Sequence, residues 1–220
     1  VANDDAASTD EDVAVSGNVI GSGGAGDVAD SDADGDVLSV TTFVVAGDPA
    51  TYNAGDTATI AGVGTVLLAS DGSYTFTPDA DWNGTVPAIT YTLSDGEGGS
   101  DTADLVITVD PVNDNPVAND DAASTDEDVA VSGNVIGSGG AGDVADSDAD
   151  GDVLSVTTFV VAGDPATYNA GDTATIAGVG TVLLASDGSY TFTPDADWNG
   201  TVPAITYTLS DGEGGSDTAD

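Results

Sequence analysis

The 220 residues include no lysine, arginine, histidine or cysteine, and each absence closes a class of function. Without Lys or Arg there is no electrostatic footprint for nucleic acid, phosphate or an anionic membrane. Without His or Cys there is no ordinary zinc site, no thiolate nucleophile and no Ser–His pair. No disulfide can form, so any stapling must come from metal or from the core. Aromatic residues make up only 5% of the chain, and nothing marks a sugar-binding cleft. Paired carboxylates could in principle serve a glycosidase. Here the acids lie in turns shared by two identical modules, and the chain reads as a non-enzyme with no small-molecule substrate. No secretory leader and no membrane-spanning apolar run is visible, and the sequence looks like an excerpt from something longer.

What is present is acid. Forty Asp and Glu residues give a net charge of -40 with no internal cation to offset it. Two like charges about 5 Å apart repel by roughly 1 kcal/mol in water, and several times that when partly buried. Such acids can be gathered into loops only if cations come with them. High net charge is also the mark of disorder, the alternative reading. Against it, 40% of the residues are hydrophobic and fall in strand-like runs, so a folded chain with bound cations is expected. Thirty glycines suit many tight turns.

Residues 1–104 recur letter for letter as 117–220, a period of 116. Each module has the size of one immunoglobulin-like sandwich. An acidic opening (1–12) leads to a short alternation at Val13 and Val15, and the glycine-rich run Gly17–Gly26 is expected to be irregular. Val37–Val45 is rich in β-branched residues and predicts a strand. A weaker strand is expected over Thr57–Ala61. Thr65–Ala69 and Ser73–Thr77 flank Asp71-Gly72, a strong hairpin signal. Tyr74 and Phe76 should share one face, with Thr75 and Thr77 on the other. Pro78–Gly84 reads as a loop whose Trp82 plugs the core. Ile89–Leu93 and Leu105–Val109 alternate as strands on either side of the turn Ser94–Asp101. No helical period occurs, so the fold class is all-β: tandem seven-stranded sandwiches over 1–110 and 117–220, joined by a linker at 111–116. The second copy stops at the counterpart of Asp104 and lacks Leu-Val-Ile-Thr-Val-Asp, so either the excerpt is off register or the repeat begins at Leu105. If that segment pairs with Ile89–Leu93, it should close the first copy.

The junction Asp110–Asp121, DPVNDNPVANDD, sets Asp110, Asn113, Asp114, Asn115, Asn119, Asp120 and Asp121 among prolines that hold the backbone extended. Such dense hard oxygen ligands suggest a linker made rigid by calcium. The run DSDADGD has calcium-loop spacing, with Asp30, Asp32, Asp34 and Asp36 converging around the turn at Gly35. It recurs as Asp146, Asp148, Asp150 and Asp152. It is not an EF-hand, because Thr41 holds the twelfth position and a strand follows. A solvated acidic loop is the alternative. Further carboxylates lie at Asp4 and Asp5, at Glu11 and Glu127, and in the turns holding Asp95 and Glu97, repeated as Asp211 and Glu213. Those turns gain weight only if the fold brings them to a module end.

NDNP before a fresh NDD, the TDED opening, DSDADGD, PDADWNG and ITYTLSDGEGG before LVITVD together resemble the cadherin-like or bacterial Ig-like repeats of giant bacterial surface adhesins, including those of the RTX type. The resemblance implies a calcium-dependent extender, extracellular and at the cell surface, that holds an adhesive tip away from the cell and has identical repeats as its neighbours. Asn113, Asp114 and Asn115 resemble the cadherin linker, with Glu11 as counterpart of its strand glutamate. The spacing departs, since two residues separate Asp110 from Asn113 and Pro116 follows Asn115 directly. The rival reading is a module binding a glycan, a protein or ice, which predicts an exposed aromatic, with Tyr52 and Trp82 as the candidates outside the strand alternation, or a flat Thr-rich surface.

Overall fold

The computed structural model describes residues 1–22, 26–138 and 142–220. The chain forms two compact units, Val1–Val112 (unit 1) and Asn113–Asp220 (unit 2). Unit 1 holds β1 (Asp5–Asp10), β2 (Val15–Asn18), β3 (Ser39–Val45), β4 (Tyr52–Asn53), β5 (Thr57–Ile60), β6 (Gly64–Leu68), β7 (Ser73–Pro78), β8 (Gly84–Thr85), β9 (Ile89–Ser94) and β10 (Ser100–Asp110). One sheet runs β1-β10-β9-β3-β4, with β8 also on β10, and the other runs β2-β7-β6-β5. The strand count exceeds seven because two-residue ladders form at β4 and β8 and because the acidic opening joins the sheet as β1.

Alternation decides which faces are buried. Tyr74 and Phe76 point into the core of unit 1 while Thr75 and Thr77 face solvent. Ile89, Tyr91 and Leu93 from β9 meet Leu105, Ile107 and Val109 from β10 in the same core. Each such side chain contributes about 1.5–3 kcal/mol on burial. Trp82 is half-buried against this core, as its plug role requires, and Tyr52 stacks on Phe43 with ring centroids 5.2 Å apart. Neither ring forms an exposed aromatic platform.

The pairing of Leu105–Asp110 differs from expectation. Only Leu105 opposes β9, at Ile89, because Ser100–Asp104 already fill the rest of that ladder. The remainder of β10 runs parallel to β1, with Asp5 opposite Leu105 and Asp10 opposite Asp110, and touches β8 at Thr108 and Val109. The eleven-residue β10 outlasts β9 and carries on to a different neighbour.

Part of the glycine-rich run is regular, against expectation. Gly17 lies in β2, opposite Tyr74, while residues 23–25 and 139–141 of that run and its repeat lie outside the described residues. A Cβ at Gly17 would run into the ring and hydroxyl of Tyr74. Glycine is therefore needed for close approach, and no turn is involved. Gly17→Ala is expected to destabilise unit 1 by about 1–3 kcal/mol, the usual cost of overpacking. An unshifted urea midpoint would show that Tyr74 can move aside.

Unit 2 holds β11 (Val131–Asn134), β12 (Ser155–Val161), β13 (Thr167–Asn169), β14 (Thr173–Ile176), β15 (Gly180–Leu184), β16 (Ser189–Pro194), β17 (Ile205–Ser210) and β18 (Ser216–Ala219). Its sheets are β11-β16-β15-β14 and β13-β12-β17-β18. Among the described residues, unit 2 has no counterpart of β1. Residues 121–126 repeat the letters of Asp5–Asp10 but form no strand, because no parallel partner lies beside them.

Candidate metal centre

In unit 2 the acidic loop and an acidic turn converge. Carboxylate oxygens of Asp148, Asp150 and Asp152 lie within 4.8 Å of one another. The loop is shaped by its first acid, since the Asp148 carboxylate accepts the amides of Asp150 at 3.0 Å and Asp152 at 3.2 Å. Burial pushes the Asp152 carboxyl up, and the charges of Asp148, Asp150, Glu213 and Asp211 add to the shift. Two segments far apart in sequence thus bring five acids into one field, with no basic side chain anywhere in the chain.

Residues just before the repeat cover this cluster. The Asp114 amide donates to Asp150 at 2.8 Å, and the Asn113 side-chain amide donates to Asp211 at 2.8 Å. That bond, with the amides of Glu213, Gly214 and Gly215, holds Asp211 below the usual carboxylate range. Asn115 packs over Gly215, whose Cβ would meet its Oδ1 at 2.9 Å. The Oδ2 of Asp148 is buried with no hydrogen-bond partner. A desolvated carboxylate oxygen left without a donor is costly, and a cation is the partner that would satisfy it. The donor set is all oxygen, which suits calcium and excludes the sulfur- and nitrogen-seeking metals.

In unit 1 the same loop is more open. Asp32 accepts the amides of Asp34 at 2.8 Å and Asp36 at 3.2 Å, which hold it below the usual range, while Asp34 and Asp36 are exposed. Asp95 closes its own turn by accepting the amides of Glu97, Gly98 and Gly99, and Glu97 is exposed. The opposite end of unit 1 gathers other acids. Glu11 is buried and its carboxylate accepts the amide of Val112 and the side-chain amide of Asn83, the latter at 3.3 Å. The carbonyl of Asp110 accepts the Glu11 amide at 2.9 Å, and Asp12 accepts the amide of Asp81 at 3.2 Å. Asp12 and Asp81 both sit at positive φ, 60° and 56°. They lie in separate turns, and no spacing rule in the sequence connects the two. Glu127, the repeat of Glu11, is exposed.

The remaining candidates organise the start of each repeat. Asp4 accepts the amide of Asp104 at 3.0 Å, and Asp120 that of Asp220 at 3.1 Å. Tyr91 donates its hydroxyl among Asp5 at 3.1 Å, Asp30 at 3.3 Å and two backbone carbonyls. In unit 2, Tyr207 does the same to Asp146 at 3.0 Å, whose carboxylate also accepts the Asn119 amide at 2.8 Å, while Asp121 accepts the amide of Val144 at 2.7 Å. Asp27, hidden just after the glycine-rich run, is a further member that carries no sequence signal. Burial pushes Asp5 up to about 6, helped by the charges of Asp27 and Asp30 and opposed by its hydrogen bonds.

This raised acid has a testable sign. The folded state holds the Asp5 proton more tightly than the unfolded chain does. Its ionisation therefore costs stability as pH rises from about 4 to about 6, and the cost is fully relieved below the unfolded value. Each tenfold gain in proton affinity is worth about 1.4 kcal/mol, which sets a ceiling of about 3 kcal/mol, and solvent screening should leave about half. In chelator, unit 1 should be more stable at pH 5 than at pH 7, and Asp5→Asn should flatten that slope. A slope unchanged in the variant would move the effect to another acid.

Comparison with known proteins supports one assignment. No curated protein matches the chain. Among solved structures, the human desmocollin-1 ectodomain is 11% identical, with 96% of this chain and 34% of that chain covered and a TM-score of 0.42. A Bacteroides ovatus mixed-linkage glucan-locus protein, SGBP-B, is 15% identical, with 97% and 41% covered and a TM-score of 0.30. The Ig1-2 module of the Drosophila receptor phosphatase DLAR is 9% identical, with 100% and 92% covered and a TM-score of 0.24. The chain spans about a third of the length of desmocollin-1. The model of the bacterial cadherin-like domain matches twice, over residues 1–111 and 113–220, and the chain belongs to that family.

Proposed function

We propose that the chain is a stretch of calcium-stiffened extender repeats from a large bacterial surface adhesin of the RTX type, working outside the cell to hold an adhesive tip at a distance. The observation that carries this reading is the convergence of Asp148, Asp150, Asp152, Asp211 and Glu213 on one end of a repeat, with the buried Oδ2 of Asp148 unpartnered. Asp148, Asp150 and Asp152 are the ligands proposed for that ion. Asn113, Asp114 and Asn115 sit beside it, and Glu11 and Asp110 are proposed to serve the far end of the preceding repeat. Calcium supplies positive charge where the chain has none, and it fixes loops that like charges would otherwise spread. Letter-for-letter repetition over 104 residues fits a part whose job is length, because neither copy has diverged toward a ligand of its own. Neighbouring identical repeats are the partners this reading requires.

Calorimetric titration tests the site. Calcium should bind the wild-type chain with dissociation constants at or below the millimolar extracellular range. The double variant Asp148→Asn, Asp152→Asn should lose at least one equivalent of binding, and magnesium should compete poorly because it demands a tighter octahedron. Full retention of stoichiometry in that variant would remove the loop from the site. Stiffening is read separately by small-angle scattering of a multi-repeat chain, which should differ between calcium and chelator.

A further inference from the structure

The first and last strands of unit 1 lie side by side and point the same way. β1 runs parallel to β10 through six consecutive pairs, from Asp5 opposite Leu105 to Asp10 opposite Asp110. Further bonds extend this seam beyond the ladder at both ends. Before it, the Asp101 carboxylate accepts the Ala2 amide at 2.9 Å, and Asp4 accepts the Asp104 amide at 3.0 Å. After it, the Glu11 amide donates to the Asp110 carbonyl at 2.9 Å, and the buried Glu11 carboxylate accepts the Val112 amide. The two strands are anchored unequally. β10 is held on its far side by β9 over Ser100–Leu105 and by β8 at Thr108 and Val109, with Leu105, Ile107 and Val109 in the core. β1 is the edge of its sheet. It is tied elsewhere by the Ala6 amide, which donates to Gly26, and by Asp5, which accepts the Val28 amide at 2.7 Å.

We propose that this seam is the mechanical clamp of unit 1: tension that enters the chain before β1 and leaves it after β10 strains the β1–β10 ladder in shear. Parallel strands place the entry of one and the exit of the other at opposite ends of their shared ladder. A pull therefore runs along the two strands in opposite senses, and every pair resists it at once. In an antiparallel arrangement, entry and exit would share one end, and the pairs would open one after another. Slippage is blocked as well. Side chains alternate between faces, so a one-residue shift of β1 toward its start would put Ala6 in the buried place of Asp5 and Ser8 where Ala7 packs. The ladder must break whole before β1 moves. Shear concentrates at the two ends of a ladder, which is where Asp4 and Glu11 add their bonds. The clamp deepens the extender function proposed above, since a stalk that holds a tip must bear pull, and its strength does not depend on calcium.

The chain has no cysteine, so a pair of introduced cysteines defines the two points of pull. Two pairs are compared on the full chain in chelator. Val1→Cys with Val112→Cys pulls along the seam, through side chains that are both exposed. Val1→Cys with Glu97→Cys pulls apart the neighbouring starts of β1 and β10, because Glu97 is exposed in the turn before β10, and should open the same ladder pair by pair. Neither pair strains unit 2, since all three positions precede it in the chain. Forced unfolding follows the unfolding rate, so both are measured at one pulling speed. In single-molecule force spectroscopy, rupture along the seam should need at least about twice the force of opening from its end. Glu11→Ala should lower the first force and leave the second nearly unchanged, whereas a general loss of stability would lower both. Glu11→Gln keeps an acceptor oxygen for the Val112 amide and should restore most of the first force. Equal forces for the two cysteine pairs overturn the proposal, as does a Glu11→Ala effect of equal size on both. The clamp and the calcium reading fail separately, because every pull is made without metal.

Discussion

Chelating divalent cations is expected to lower the melting temperature of the protein by about 10–20 °C. An ion held at a free concentration about 100 times its dissociation constant stabilises the folded state by about 2.7 kcal/mol, provided the unfolded chain does not bind it. For a domain near 100 residues, each kcal/mol moves the midpoint by about 4–8 °C. The unfolded chain spreads its acids apart and forms no such site, whereas the folded loop and turn of unit 2 bring Asp148, Asp150, Asp152, Asp211 and Glu213 together. Without an ion that gathering is a cost, so removing calcium should expose repulsion as well as remove a ligand. Differential scanning calorimetry in excess chelator and in millimolar calcium measures the difference. Superimposable curves would sink the calcium reading and leave the acids as solvated loops. Added salt in chelator should recover only part of the loss, because partly buried charges are screened less than exposed ones.

The parts of the fold legible in the sequence are those that carry their own pattern. The Asp71-Gly72 hairpin, the alternation of Ile89–Leu93 and the inward Tyr74 and Phe76 all depend on neighbours a few residues away. The acidic opening is the opposite case. Asp-Ala-Ala-Ser-Thr-Asp has little β propensity, yet at Asp5–Asp10 it is a strand because β10 offers a parallel ladder, and at 121–126 the same letters are not a strand. Local sequence cannot separate these two outcomes, because the deciding residue lies about 100 positions away. The candidate metal centre divides the same way. The D-x-D-x-D-G spacing is local and marks Asp146, Asp148 and Asp150, with Asp152 directly after the glycine. The approach of Asp211 and Glu213 depends on sheet order, and the link from Asp12 to Asp81 joins turns 69 residues apart. Asp27 is invisible in the sequence because its role is to sit near Asp5 and Tyr74, and nothing beside it in the chain reports that.

In a polypeptide of residues 1–220 alone, unit 2 is expected to unfold well before unit 1, although 104 of their residues are the same. Leu105, Ile107 and Val109 are almost wholly buried in unit 1 and have no counterparts in unit 2. At about 1.5–3 kcal/mol each, their absence removes roughly 5–9 kcal/mol of apolar burial. That is a large share of the roughly 5–15 kcal/mol that keeps an ordinary domain folded. The loss spreads beyond the three side chains. Tyr190 is half-buried where Tyr74 is buried, and the segment 121–126 gives up its ladder. Each unit has one tryptophan, Trp82 or Trp198, packed against its own core. Trp82→Phe therefore leaves fluorescence that reports unit 2, and Trp198→Phe leaves fluorescence that reports unit 1. With a urea slope of about 1–3 kcal/mol per molar, the midpoint seen in Trp82→Phe should fall at least about 2 M below that seen in Trp198→Phe. Ile107→Ala in the Trp198→Phe background should move unit 1 part of the way down, by about 2–5 kcal/mol. Coincident midpoints in the two tryptophan variants would mean that the missing strand contributes little. The stability of unit 1 would then have to rest on its other nine strands.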